Sequence, residues 1–185
     1  MQKPANSVLL INLVTASRVV LAVPVALLTV WAGNRMWAVA ASVTLVVAIE
    51  LSDLADGHLA RRHNSVSHFG KVFDPYADSI SRLVVYWSLA VVGRCLSFVP
   101  LVMGIRDVSV AYCRMHMMQH GMDVGARPTG KLKAFAQGVC ALLLMAGPLY
   151  WGTSGRALTI GLSGVVILAT AASMVDYGVA ALRRS

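Results

Sequence analysis

The sequence predicts an all-α polytopic membrane protein with six transmembrane helices, built as one domain over residues 1–185. Three observations carry this. Hydrophobic residues make up 57% of the chain, and the mean hydropathy is +0.69. Charged residues make up only 13%, against roughly 25% in a soluble domain. The apolar sequence also divides into six runs, each near the ~20 residues that cross a bilayer.

Met1 to Ser7 is short and polar. The first run, about Val8 to Trp31, contains Asn12, Thr15, Ser17 and Arg18. Asn12, Thr15 and Arg18 are three apart and form one polar helix face. Arg18 at that depth must point into the bundle, either to pair with an aspartate or to meet a substrate. Polar residues midway and the lack of a small-x-small cleavage site make this run a span, not a cleaved leader. Residues 32–34 form a turn. The second run starts near Met36 and continues to Arg61, which places Asp53 about 25 Å along the helix, near the far membrane face. The connector 62–71 is polar, with His63 and His68 as solvated loop residues.

The third run begins around Phe73, with Pro75 in a first turn where its missing N–H costs nothing. It continues to about Val92, and Arg82 lies four residues after Asp78, the spacing of a structural ion pair. Arg94 marks the next turn. The fourth run, about Leu96 to Gln119, embeds Arg106, Asp107 and Arg114, while Met115, Met117 and Met118 serve packing. A polar connector from His120 leads to Gly130-Lys131-Leu132-Lys133 at the mouth of the fifth run. A helix start with two ammonium groups suits an anion, and it equally suits a membrane anchor. The fifth run ends near Trp151. The sixth spans about Leu158 to Leu182, before Arg183 and Arg184.

The formal net charge is +8. No basic stripe stands clear of the apolar runs, which argues against nucleic acid and for anionic lipid heads and anionic substrates. With six spans, Lys3, Arg61, Arg62, Lys71, Arg127, Lys131, Lys133, Arg183 and Arg184 share one side, against Arg35, Arg94 and Arg156 on the other. The excess places the first group in the cytoplasm, as in a bacterial inner-membrane protein. Cys95, Cys113 and Cys140 are scattered and fit neither a disulfide pair nor a zinc site.

Four of the eight acidic residues fall between Ser52 and Asp78. Asp53 and Asp56 are i,i+3 on one helix, and Asp74 and Asp78 are i,i+4 on the next. Gly57 and Gly70 lack a Cβ and admit a close ligand. If the two helices face each other, four carboxylates converge, and such a set needs cations. Hard divalent ions take oxygen ligands and share them with phosphates, and Arg61 is a phosphate-pairing guanidinium. The residues therefore point to a two-metal phosphoryl-transfer site at a membrane surface. A pair of solvated helix ends would explain neither the glycines nor the spacing. A cation carrier would instead place acids at mid-membrane on several helices.

The spacing Asp53-x2-Asp56-Gly57-x2-Ala60-Arg61-x8-Gly70-x3-Asp74-x3-Asp78 matches the signature of the CDP-alcohol phosphotransferases at every position, and the chain resembles that family along nearly its whole length. The resemblance implies transfer of a phosphatidyl group from CDP-diacylglycerol to an alcohol, with release of CMP. It implies two Mg2+ or Mn2+ ions held by Asp53, Asp56, Asp74 and Asp78, with Asp78 also the general base. Gly57, Arg61, Ser67 and Gly70 would contact the CDP moiety, joined by Asn12 and Arg18 from a first-helix stretch similar to the family's. Arg106, Arg114, Lys131 and Lys133 would bind an acceptor phosphate. Within the family the resemblance is to members that use sn-glycerol 3-phosphate. Ser79, Ala134 and Asp107 stand where those members usually have Lys, Thr and Glu, which leaves inositol phosphate, serine or another alcohol open. By the same analogy the protein is a homodimer.

Overall fold

The computed structural model describes residues 5–63, 68–119, 127–150 and 155–182, with side chains described at 13, 15–52 and, within those ranges, from 73 onward. Among the described residues every regular element is helical. The helices are α1 (Ala5–Leu27), α2 (Met36–His63), α3 (His68–Val91), α4 (Phe98–Gln119), α5 (Pro128–Ala146) and α6 (Gly155–Leu182). A π-helical turn, Leu28–Ala32, extends α1, and a 3-10 turn, Gly147–Leu149, follows α5. They form two compact units, Met1–Val92 and Gly93–Ser185.

In the first unit α1 packs on α2 and α3. Its buried face is Thr15, Arg18, Ala22, Val25 and Thr29, the alternating three- and four-residue steps of one helix stripe. The matching stripe of α3 is Ala77, Ser81, Val85 and Leu89, and that of α2 is Val39, Ser42, Val46 and Ile49. Small residues at Ala22, Ala77, Ser81 and Ser42 let the backbones approach, as in helix pairs within lipid. The turn after α1 passes through Gly33 at φ 61, and α3 stops just before Gly93 at φ 73, the left-handed region that glycine tolerates.

In the second unit α6 packs against both α4 and α5. Its buried stripe is Thr159, Ser163, Val166, Thr170, Ser173, Tyr177 and Ala180, unusually polar for an apolar helix. These groups are satisfied in sequence: Ser163 accepts from the Leu96 N–H, Thr170 from the Gln137 amide and Ser173 from Arg106. A buried hydroxyl without such a partner would be costly.

Thr15–Ala32, Pro128–Leu149 and Gly155–Leu182 are long and apolar enough to cross a membrane, and Met36–Ser52 is a shorter apolar helix. Outward-facing residues such as Trp31, Phe135 and Leu168 are more than two-thirds exposed, a surface suited to lipid and unsuited to water. The chain is an integral membrane protein. Six spans were expected, and among the described residues α3 and α4 are not apolar enough over the length of a span. Their charges explain this: Lys71, Asp74, Asp78 and Arg82 on α3, and Arg106, Asp107 and Arg114 on α4.

Several boundaries shift: α1 and α6 each start three residues before their apolar runs, at Ala5 and Gly155. The third helix starts at His68, not near Phe73, so Pro75 lies in its interior. There it withholds an N–H from the carbonyl of Lys71, one turn before Asp74. The fifth helix starts at Pro128, with Gly130 inside its first turn. Arg94 and Lys133 were expected at the membrane boundary, yet both are buried. Arg94 reaches the carbonyl of Met145 at 3.5 Å, beside the C-terminus of α5, where a helix favours a cation. Lys133 turns inward to a carboxylate described below.

Candidate active site

Asp74 and Asp78 lie one turn apart on α3. Thr15 donates to Asp74 Oδ1 at 2.6 Å, and Arg18 donates to the same oxygen at 3.4 Å. Thr15 and Arg18 are each only 1% exposed, so two groups of the α1 polar face are held against this carboxylate. Arg18 therefore makes the aspartate contact. Asp78 Oδ1 accepts from Arg82 Nε at 2.8 Å, the expected i,i+4 pair, and the other end of that guanidinium donates to Glu50 on α2 at 2.9 Å. Two guanidiniums thus face three carboxylates. Both sets of bonds use Oδ1, and among the described residues Oδ2 of Asp74 and of Asp78 accepts nothing.

The second unit holds a separate basic cluster. Arg106 donates to Asp107 Oδ1 at 2.8 Å and to Ser173 at 2.6 Å, and Lys133 donates to the same Asp107 oxygen at 3.0 Å. Arg106, Asp107 and Lys133 are all nearly buried, so this ion group is only lightly screened. Arg106 and Arg114 both lie over the ring of Tyr177, at 5.4 and 5.5 Å from its centroid. Arg127, at the start of α5, pairs with Asp176 through two bonds of 2.7 Å, and Thr129 donates to Asp176 as well. The structure thus brings together Arg106, Arg114 and Lys133. Lys131 stays on the exposed side of α5 and takes no part in these bonds.

The family model described as CDP-alcohol phosphatidyltransferase matches residues 8–175, which is most of the chain. The chain belongs to the CDP-alcohol phosphatidyltransferase family. A Treponema pallidum protein named CDP-diacylglycerol–glycerol-3-phosphate 3-phosphatidyltransferase is 37% identical over 111 residues, covering 60% of this chain and 51% of that protein. A Bacillus subtilis protein of the same name is 32% identical over 106 residues, covering 56% of this chain and 55% of that one. A Rickettsia bellii protein, also so named, is 27% identical over 161 residues, covering 87% and 86%. The chain spans about half the length of the Treponema and Bacillus relatives it matches.

The phosphatidyltransferase signature is divided between α2 and α3. Asp53, Asp56, Gly57 and Arg61 fall in the last turns of α2, and Gly70, Asp74 and Asp78 in the first half of α3. The side chains of Asn12, Asp53, Asp56 and Arg61, and the surroundings of Gly57 and Gly70, lie outside the described residues, as does Ser67 entirely. Among the described residues no three His, Cys, Asp or Glu side chains gather as a metal site, so Asp74 and Asp78 supply only part of a donor set. Both are hard oxygen donors, each held through Oδ1 by an outer partner, the arrangement that orients metal ligands.

Thr15, Glu50, Ser173, Asp176 and Tyr177 were not singled out as site residues from sequence. Thr15 was visible as part of the Asn12–Arg18 polar face. Tyr177 carries a signal too: it continues the three- and four-residue polar stripe of α6. Glu50 carried none beyond being an acid in an apolar run.

Proposed function

We propose that this chain transfers the phosphatidyl group of CDP-diacylglycerol to sn-glycerol 3-phosphate and releases CMP. The observation that supports it most is the pair Asp74 and Asp78 on α3, which carries the second half of the family signature, each carboxylate held through Oδ1 by an outer partner. Support for the acceptor comes from the basic cluster of the second unit and from the names of the relatives.

Asp53, Asp56, Asp74 and Asp78 would hold Mg2+ or Mn2+, two ions in this reading. Bound there, the metal supplies positive charge to the phosphoryl oxygens and to the leaving CMP. Arg18 and Thr15 hold Asp74 in place, and Gly57, Arg61, Ser67, Gly70, Asn12 and Arg18 are assigned to the CDP moiety. Arg82 orients Asp78 through Oδ1, and the Asp78 carboxylate would take the acceptor's hydroxyl proton. A carboxylate is a weak base for an alcohol, so that proton leaves late, as phosphorus–oxygen bond formation proceeds. Arg106, Arg114, Lys131 and Lys133 are assigned to the acceptor phosphate, with Lys131 at the exposed edge.

The family match runs through both units, which supports their acting as one domain. Six spans, an active site facing the cytoplasm of a bacterial inner membrane, and a homodimer complete the proposal. The charge asymmetry of the connectors supports the orientation. A head-group panel tests the acceptor. Purified protein, CDP-diacylglycerol and Mg2+ are combined in turn with glycerol 3-phosphate, inositol phosphate, serine and glycerol, and CMP is measured. Glycerol 3-phosphate should react fastest by a wide margin. Equal rates with serine or glycerol would refute the phosphate clamp.

A further inference from the structure

We propose that Tyr177 is a positioning residue that holds Arg106 and Arg114 together as one anion-binding pair; this rests on assigning their cluster to the acceptor phosphate. The two arginines are eight residues apart on α4, about 12 Å by helix rise. Their guanidiniums nevertheless meet the same ring, at 5.4 and 5.5 Å from its centroid. Two like charges do not converge in a low-dielectric interior without compensation. Asp107 supplies it for Arg106. Among the described residues Arg114 has no acidic partner, and the negative face of the Tyr177 ring is what it meets.

The ring is itself held. Tyr177 is 3% exposed. Its Oη accepts from Arg114 at 3.4 Å and from the backbone N–H of Arg127 at 3.1 Å. One turn earlier Ser173 fixes Arg106, and next to Tyr177 the Asp176 carboxylate fixes Arg127 and Thr129. Gly130 makes room: a Cβ there would come within 3.3 Å of Tyr177 Oη and 3.7 Å of the Arg106 guanidinium. Among the described residues the Nε–H groups of Arg106 and Arg114 have no acceptor. A tetrahedral oxyanion is the ligand chemistry that takes several such donors at once.

The test uses the full chain with Tyr177→Leu, Tyr177→Phe and Arg114→Ala. CMP release is measured against glycerol 3-phosphate at saturating CDP-diacylglycerol, and then with the roles reversed. Loss of the ring in Tyr177→Leu should raise the acceptor KM about tenfold and leave the CDP-diacylglycerol KM nearly unchanged. Tyr177→Phe keeps the ring and loses the hydroxyl, and should raise the acceptor KM about threefold. If Tyr177→Leu does not yield folded protein, the phenylalanine variant decides alone. An unchanged acceptor KM in the Tyr177 variants, with Arg114→Ala impaired, overturns the role of Tyr177 and leaves the phosphate site standing. A rise in both KM values alike reduces Tyr177 to a packing residue and also overturns it. If Arg114→Ala is unimpaired as well, or no acceptor turns over, the site assignment fails and this inference fails with it.

Discussion

Replacing Thr15 with valine removes one hydroxyl and almost no volume, at a residue that never contacts substrate in this scheme. The bond lost is the 2.6 Å donation to Asp74 Oδ1. Thr15 is 1% exposed, so water cannot replace the hydroxyl from its own side. A hydrogen bond to a charged group contributes ~1.5–3 kcal/mol. The Asp74 side chain is 44% exposed, so solvent recovers part of this, and the lower end applies to stability. Among the described residues Asp74 would retain only Arg18, at 3.4 Å, and its carboxylate would be held less firmly. Loss of such an outer partner typically weakens metal binding ~10- to 100-fold. Thr15→Val should therefore raise the Mg2+ concentration for half-maximal CMP release by about tenfold or more, and saturating Mg2+ should restore most of the rate. The assay is a Mg2+ titration of CMP release, with a thermal melt in parallel. An unchanged Mg2+ requirement in a folded variant would refute Asp74 as a metal ligand steadied by Thr15.

Asp78→Asn should abolish turnover while CDP-diacylglycerol binding survives, since the amide oxygen can still accept from Arg82 but cannot take a proton; near-normal CMP release would remove Asp78 from the role of base. Arg114→Ala and Lys133→Ala should differ. Arg114→Ala leaves no buried carboxylate behind and should raise the acceptor KM roughly ten- to a hundredfold. Lys133→Ala strips Asp107 of one of its two cations, and breaking a buried pair costs ~3–5 kcal/mol, so its first sign should be a lower melting temperature. Equal melting temperatures for these two variants would contradict the buried Asp107 triad.

Much of this arrangement is written in helix periodicity. The Asn12, Thr15, Arg18 spacing shows that these residues share a face, and the structure turns Thr15 and Arg18 of that face to Asp74. The i,i+4 spacing of Asp78 and Arg82 likewise forecasts their ion pair. Periodicity shows which residues share a face but not which helix that face meets. Thr15 and Asp74 are 59 residues apart, and Arg82 and Glu50 are 32 apart, so those contacts depend on tertiary packing. Arg94 and Lys133 resemble boundary cations because each adjoins a polar turn. Long side chains can bend back to a carbonyl or a carboxylate, and local sequence does not reveal that choice. The start of α3 was missed because Pro75 fits a first turn so well that an interior position looks expensive. Tyr177 was missed because its partners lie on two other helices.

Isotope-labelled glycerol 3-phosphate tests the central claim most directly. Purified protein is incubated with CDP-diacylglycerol, labelled glycerol 3-phosphate and Mg2+, and the lipid fraction is analysed by mass spectrometry. The label should appear in a phosphatidylglycerol phosphate, with one CMP released per lipid formed. EDTA should stop the reaction, and added Mg2+ or Mn2+ should restart it, because clustered carboxylates of this kind act through hard cations. CMP release without label in lipid, or full labelling in metal-free buffer, would contradict the proposed transfer.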